Sequence, residues 1–384
     1  MKIVVASDSF KGSLSSEEVA DAVLAGLIRP FPNADIIKLA VADGGEGTAE
    51  AVVKAAGGTM TDADASDPFG RPVTASYGIL PDGTAVIDVA AASGLTLLSP
   101  GERDPWKTSS FGTGEVILDA LDRGCRKFLI GLGGSATNDG GAGMLTALGV
   151  RLLDSRGEDL QGRGCDLEAV ESIDTSRIVP ALKDAEFTVA CDVNTPFCGP
   201  GGAAEVFAPQ KGATPQTVAR LDKGMCHFAA VIQRTIGKDI SKEKGSGAAG
   251  GLGGAFMAFL GAELRSGVET VLDTIGFNQI LEGADLVITG EGRADFQTPK
   301  GKTAAGVLRR AKARNIPTIL IAGKINHCPE LDAMGFTAMI QTAPDNMPIS
   351  EALKKDVARN NIRLAVEKLL IRSIFSPGGP GPRK

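Results

Sequence analysis

Histidine, paired cysteines, long apolar runs and basic clusters are all scarce in this chain, and each scarcity removes a class of function. Only His227 and His327 are present, and neither lies in a glycine-rich segment. A Ser-His-Asp triad is therefore excluded as a working reading, and any general base or metal ligand has to be a carboxylate. The six cysteines (Cys125, Cys165, Cys191, Cys198, Cys226, Cys328) form no CxxC pair. The one neighbouring histidine, His227 beside Cys226, is a poor chelate by adjacency, so reduced structural thiols are expected. The longest apolar stretches, such as 255–260, fall far short of the roughly 20 residues a membrane-spanning helix needs. The start, MKIVVASDSF, runs directly into a strand pattern without a signal-peptide profile, which predicts a cytoplasmic protein without a membrane partner. No Lys/Arg-rich run occurs, the formal net charge is −6 and the pI is near 5.2. That balance argues against a nucleic-acid partner and favours a small molecule.

Aromatic residues are also few, at 4%, whereas glycine is abundant at 50 residues. Glycine at this level suits tight strand-to-helix turns and close approach of backbone to ligand. It clusters in five segments: SDSFKGSLS (7–15), ADGGEGT (42–48), GLGGSATNDGGAG (131–143), CDVNTPFCGPGGAAEVFAPQKGA (191–213) and ITGEGRADFQTPKGKT (288–303). Most follow a short apolar run and mix Gly with Asp, Glu, Ser, Thr or Lys. Loops of that composition converge N–H groups and side chains on small anions such as phosphate.

At 384 residues the chain exceeds what one core usually supports, and its 43% hydrophobic content suffices for two. The run 2–6 reads as a buried strand. A helix follows, with Ser15 and Glu18 spaced as a capping box and an apolar stripe at Val19, Val23 and Leu27. Residues 35–41 repeat the strand, ADGGEGT follows, and a short helix runs to Ala56, stopped by Gly57 and Gly58. From 59 to 99 turn signals dominate, and 73–80 with 84–91 are predicted to pair as a hairpin. Strand-like runs return at 127–132, 186–190, 285–289, 317–322 and 336–340, alternating with helical patterns such as 216–236 and 303–314. A last helix is expected to be capped by Ser350. The Pro/Gly-rich tail 376–384 is expected to be disordered. Repeated β-loop-α units imply an α/β fold with a parallel sheet and ligand-binding loops at strand carboxyl ends.

Two motifs look like nucleotide signatures and fail on context. Gly301-Lys302-Thr303 resembles the end of a P-loop, but Phe296 stands where that pattern requires glycine. The hexapeptide 245–250, GSGAAG, satisfies GxGxxG, yet SKEK precedes it instead of a strand. A glycine-rich helix entry packed closely on its neighbour is the better reading. The carboxylates in the glycine segments are Asp8, Asp43, Glu46, Asp139, Asp192, Glu291 and Asp295. Any one alone reads as a turn or cap residue; seven, most just beyond strand ends, point to a site. Lys11, Lys211 and Lys300 are candidate point charges for phosphate or carboxylate, and Arg293 a bidentate partner. Carboxylates, cations and glycine loops together are the parts of a phosphoryl-transfer site, where catalysis is mostly positioning and charge stabilisation.

Taken in order, SDSFKGSLS, VADGGEGT, GLGGSATNDGGAG, the ACDV and GAAEVFAPQKGA elements, and TGEGRADFQT with its following GK resemble the bacterial glycerate kinase family of the first type. The resemblance spans nearly the whole chain. It departs at Asn194-Thr195-Pro196-Phe197-Cys198, where the family commonly has Asn-Pro-Leu after CDV, and at Ala304-Ala305, where a proline often follows the GK. The resemblance implies ATP-dependent phosphorylation of D-glycerate with Mg²⁺, giving 2-phosphoglycerate, with the 3-phosphate as rival product. It also implies two α/β domains with the active site in their cleft. One is Rossmann-like, built from both chain ends (1–60 with 270–375); the other is an inserted mixed α/β domain (61–269).

Loop position and residue type then give roles. Asp192 or Asp8 would take the proton of the attacking hydroxyl. Asp295 with Glu291 would hold Mg²⁺ or orient phosphate, Asp139 being a further metal candidate. Lys11 with Ser13 would meet the substrate carboxylate or the transferring phosphoryl group, and Gly133, Gly134, Ser135, Thr137 and Asn138 would cradle nucleotide phosphates. Ser9, Asp43, Glu46, Lys211, Gly290, Arg293, Thr298 and Lys300 complete the expected binding set. Two rival classes remain at this point: an NAD(P)-linked oxidoreductase suggested by GSGAAG, and a hinged carboxylate-binding protein without catalysis. The sequence carries no signal for an oligomeric state.

Overall fold

A computed structural model describes residues 1–42, 44–45 and 47–375, with side chains described to residue 368. Asp43, Glu46 and the tail 376–384 lie outside the described residues. The strands in chain order are β1 (Lys2–Ser7), β2 (Asp35–Ala40), β3 (Thr59–Ser66), β4 (Pro72–Ile79), β5 (Thr84–Asp88), β6 (Lys127–Gly131), β7 (Arg151–Leu153), β8 (Ser172–Asp174), β9 (Glu186–Ala190), β10 (Glu263–Arg265), β11 (Leu286–Ala294), β12 (Thr318–Ile325) and β13 (Ala338–Gln341). The chain forms two compact units, Met1–Asp43 with Val268–Lys384, and Gly44–Gly267. The fold is α/β, as the strand–helix alternation predicts.

The first unit is built on a parallel sheet of order β13-β12-β11-β1-β2. A central parallel strand is covered on both faces and must be apolar throughout. Ile3, Val4 and Val5 in β1 are accordingly 0% exposed, each burial contributing about 1.5–3 kcal/mol. The helix Ser16–Leu27 begins with the expected capping box: Ser15 Oγ accepts from the Glu18 N–H at 3.2 Å, and Glu18 Oε2 accepts from the Ser15 N–H at 2.9 Å. Glu18 also meets Lys355 and Arg359 of the long helix Lys355–Phe375. The Ser15 N–H first, then the Lys355 ammonium, hold its carboxyl down to about 2. Gly26 lets the two helices approach: a Cβ there would sit 2.7 Å from the Arg363 carbonyl oxygen.

Two expectations differ in this unit. Ser350 does not cap the last helix; it lies inside a separate turn, Ile349–Ala352, opened by Pro348, and the long helix restarts at Lys355. The strand expected over 285–289 continues to Ala294, because β12 keeps pairing with it through Arg293↔Lys324 and Ala294↔Ile325. The TGEGR motif is therefore the carboxyl half of a strand, not a loop.

The second unit is built on a mixed sheet of order β10-β9-β6-β5-β4-β3. β3, β4 and β5 run antiparallel, as the hairpin signal predicts, and β5, β6, β9 and β10 run parallel. The run expected to continue to residue 91 leaves the sheet at Asp88 and becomes a helical turn, Ala90–Ser93, in an alanine-rich stretch. The helix Thr48–Ala56 packs on this sheet: Val53 fills the space over Gly78, where a Cβ would lie 2.1 Å from its methyl. Phe128 and Phe187 stack at 4.6 Å between β6 and β9. The buried Tyr77 hydroxyl donates to Asp119 at 2.7 Å, so the polar tip of a core aromatic is satisfied.

Candidate active site

In the first unit the sheet reverses direction of growth between β1 and β11, with β2 outside β1 and β12 and β13 outside β11. Open parallel sheets bind ligands beyond the carboxyl ends of their strands at such a reversal. A cavity of about 570 Å³ opens there. The end of β1 brings Asp8, Ser9, Lys11 and Ser13 to it, β11 brings Glu291 and Arg293, and Lys302 comes from the loop before the helix Thr303–Lys312. The Asp8 N–H donates to the Gly290 carbonyl at 3.0 Å, which ties the two strand ends together.

Each charged group here has a defined neighbour except one. Asp8 accepts from the Ser9 N–H (2.6 Å) and from the Thr303 hydroxyl (3.1 Å). Glu291, 5% exposed, accepts from the Thr298 hydroxyl at 2.6 Å and pairs with the Lys302 ammonium at 2.8 Å. Burial pushes its pKa up, against the lowering effect of Lys302 and Thr298. Arg293 lies 3.2 Å from Asp295, whose other oxygen accepts from the Gln297 N–H at 2.9 Å. With the Asn326 amide oriented to satisfy both partners, its oxygen accepts from Arg293 at 2.6 Å. Lys324 pairs with Asp345 at 2.7 Å, and Lys300 sits over the Phe296 ring at 4.9 Å. Lys11 is exposed and has no hydrogen-bond or ion-pair partner among the described residues. The neighbouring Ser13 hydroxyl oxygen is buried and without a partner among them. An unpaired ammonium beside an unsatisfied hydroxyl is an anion-receiving arrangement.

The remaining expected residues belong to the second unit, and there the structure departs from expectation. Ser135, Thr137, Asn138 and Lys211 do not line an open phosphate cradle. Lys211, 2% exposed, donates to Ser135 Oγ at 2.8 Å and to the Thr137 carbonyl at 2.6 Å. Burial carries its pKa down to about 7, opposed by the charge of Asp139. A lysine drawn into the interior needs acceptors, and the 133–138 loop is folded around it to supply them. Gly133 is half-buried and donates to the Gly44 carbonyl, leaving only Gly134 of this loop exposed. Asp139 is likewise internal. It accepts from the Ser110 N–H and hydroxyl, both at 2.7 Å, and from the N–H groups of Gly141 and Gly143. Burial is the largest influence on its carboxyl and raises its pKa. A carboxylate so enclosed serves the loop, not a metal. Asp192 is exposed and accepts from the Gly267 N–H at 3.0 Å.

GSGAAG leads into the helix Leu252–Phe259, as its context predicts. Gly250 adopts φ +71°, and a Cβ there would meet the Thr137 carbonyl oxygen at 2.1 Å. Gly250 thus serves close packing against the 137–138 backbone, and Gly247 serves it against Pro196, whose carbonyl oxygen would lie 2.1 Å from an added Cβ.

Sequence reasoning missed Lys302, Thr303, Lys324 and Asn326. Lys302 and Thr303 carry a signal, since the GKT triplet stands at a helix start and departs from a Walker A only at Phe296. The other two carried none; the parallel pairing of β11 with β12 places them.

The sequence model of the glycerate kinase family matches residues 3–372. The chain belongs to the glycerate kinase family. It is 46% identical to the glycerate kinase of Bacillus subtilis strain 168, over 92% of this chain and 93% of that one. It is 48% identical to the glycerate 2-kinase of Escherichia coli K12, over 85% of this chain and 86% of that one. A crystal structure assigned to a glycerate kinase 2 from Salmonella typhimurium LT2 superposes with a TM-score of 0.86 at 46% identity, covering 97% of this chain and 98% of that one. The chain is thus an enzyme of the kinase class. Among its described residues no helix is long and apolar enough to cross a membrane.

Proposed function

We propose that this glycerate kinase family member transfers the γ-phosphoryl group of ATP to the 2-hydroxyl of D-glycerate, releasing 2-phosphoglycerate and ADP. The observation that carries the reading is the unpaired Lys11 at the β1–β11 reversal, facing a cavity that also holds Asp8 and Ser13. The 48% identity to a glycerate 2-kinase supports the choice of hydroxyl. Lys11 neutralises charge on the transferring phosphoryl oxygens, and Ser13 donates to the same group or to the substrate carboxylate. The glycerate hydroxyl attacks phosphorus, its proton passes to Asp8 or Asp192, and ADP leaves with the electron pair of the broken phosphoanhydride bond. The six cysteines are free thiols, which fits action in the cytoplasm.

Magnesium is compatible with this donor set. Among the described residues no group of three or more His, Cys, Asp or Glu converges on one point, so no all-protein cage is formed. Mg²⁺ retains waters and phosphate oxygens and needs only one or two carboxylates. Glu291, with Asp295 behind it, would supply these, since a carboxylate oxygen accepts more than one contact. Bound Mg²⁺ offsets charge on the phosphate oxygens.

Phosphorus NMR of the purified protein with D-glycerate, ATP and Mg²⁺ tests the proposal. A 2-phosphoglycerate resonance with equimolar ADP is expected. A 3-phosphoglycerate resonance overturns the regiochemistry, and unchanged ATP in a folded sample overturns the activity.

A further inference from the structure

We infer that the cavity of the first unit contains a purine subsite, a wall of Pro344, Met347, Ile349 and Leu353 with Asn361 at its polar edge, that receives the base of the phosphoryl donor. This inference rests on the proposal that the donor is a nucleoside triphosphate. The cavity has two chemically different ends. Around Lys11 it is charged and hydroxylic; along residues 343–361 its wall is mostly apolar, and the one carboxylate there, Asp345, is already paired with Lys324. Glycerate is a short polyhydroxy acid with no apolar face, so the charged end satisfies all of its groups. At about 570 Å³ the cavity is far larger than such an acid requires and falls within the roughly 300–1,000 Å³ of sites for larger ligands.

The wall is also unusually open. Ile349 is 78% exposed and Leu353 40% exposed, and the two stand one helical turn apart. The Leu353 N–H donates to the Ile349 carbonyl at 3.0 Å, fixing their relative position. Apolar surface left uncovered beside an anion-receiving lysine is complementary to a ligand that joins a flat apolar ring to phosphates. Asn361 supplies the matching polar edge. Its Nδ2 rests on the Met347 sulfur at 3.5 Å, a weak contact. An asparagine amide matches the donor–acceptor pair of an adenine edge bidentately.

The test uses the full-length protein and two probes. Leu353→Asp and Ile349→Asp change side chains that are already exposed and should leave the fold intact. Calorimetric titration with AMP-PNP is expected to show at least a tenfold weaker Kd in each variant, with the KM for glycerate within twofold of wild type. Irradiation of wild-type protein with 8-azido-ATP is expected to label a peptide within 342–361, a readout independent of any variant's folding. AMP-PNP affinity within twofold of wild type in both variants, or a label confined to other peptides, overturns the subsite. Loss of this inference is separable from loss of the kinase reading. Labelling at 342–361 without phosphorylated glycerate keeps the subsite and removes the acceptor; phosphorylation with unchanged AMP-PNP affinity in both variants does the reverse.

Discussion

The Lys302 ammonium lies 2.8 Å from the Glu291 carboxylate, and the two side chains are 31% and 6% exposed. The pair is buried on one side only, so its members are unequal: Lys302 loses little on hydration, whereas Glu291 without Lys302 is a desolvated charge. Lys302→Met should therefore destabilise the protein by about 2 kcal/mol, below the roughly 3–5 kcal/mol of a fully buried pair because Lys302 is partly hydrated. Urea denaturation at pH 7 measures it, and Glu291→Gln added to Lys302→Met should recover most of the loss. A single variant with the wild-type midpoint would remove the pair from the stability account. The sign with pH follows from the raised Glu291 pKa. The native state holds its proton above the ordinary carboxylate range, so this group's contribution to stability falls as pH rises through that window.

Lys11 is the cation whose loss should cost activity without costing stability. It is exposed and unpaired among the described residues, so Lys11→Ala leaves no orphaned charge behind. If its ammonium meets the transferring phosphoryl group, kcat should fall by about 10²–10³, the range for loss of one preorganised electrostatic contact. Steady-state kinetics and a melting curve on the same sample decide it; a fall in kcat smaller than tenfold counts against the assignment.

Much of this arrangement was legible in the sequence because it follows from local rules. The apolar run of β1, the Ser15–Glu18 box and the turn signals between β3 and β5 each act within a few residues. The site itself was half legible. Asp8 and Lys11 could be named because they follow a recognisable strand directly. Glu291 and Arg293 stand out by residue type, but their place within a strand does not, since the length of β11 is set by pairing with β12, a relationship with no local signature. Lys211 looks like a phosphate ligand in the sequence because a lysine in a glycine segment is ordinarily exposed. Its burial depends on the carbonyl of Thr137, 74 positions away in the chain. Lys324 and Asn326 reach the site through sheet register alone.

Gly250 tests the packing reading of GSGAAG. Its φ is +71° and an added Cβ would lie 2.1 Å from the Thr137 carbonyl oxygen, so Gly250→Ala combines backbone strain with a collision against main chain. A loss of more than about 1 kcal/mol is expected, beyond the ordinary cost of an L residue at positive φ. Because the collision displaces the segment that holds Lys211, the variant should also melt less cooperatively. An unchanged melting curve would mean that the 137–140 segment shifts freely to make room.

The two candidate bases can be separated because they sit in different surroundings. Asp8 lines the cavity and shares the Thr303 hydroxyl, whereas Asp192 is exposed and holds the Gly267 N–H. Asparagine keeps the shape of either side chain and removes its basicity. The variant lacking the base should lose about 10²–10⁴ in kcat, the usual contribution of general base catalysis, and lose it across the pH range. The other should retain most of its kcat and show its effect in KM. If both variants keep wild-type kcat with normal folding, neither carboxylate takes the proton.

Lys211 makes a prediction opposite in sign to that of Glu291. Its pKa falls from the ordinary lysine value of 10.5 to about 7 in the folded protein because burial disfavours the ammonium. Between those two values the unfolded chain binds a proton that the native state does not, so the native state gains stability as pH rises. One proton corresponds to a slope of at most about 1.4 kcal/mol per pH unit. Lys211→Met removes that contribution. It also leaves Ser135 Oγ and the Thr137 carbonyl without their donor, an unsatisfied pair costing about 1–3 kcal/mol per group. Urea denaturation at several pH values from 7 to 9.5 should therefore show the variant below wild type throughout, with the gap widening as pH rises. The lysine's contribution grows over this interval in wild type and is absent from the variant. A gap that is constant with pH would show that Lys211 keeps its ordinary pKa in the fold, and that Ser135 and Thr137 receive an ammonium instead of a group near its titration point.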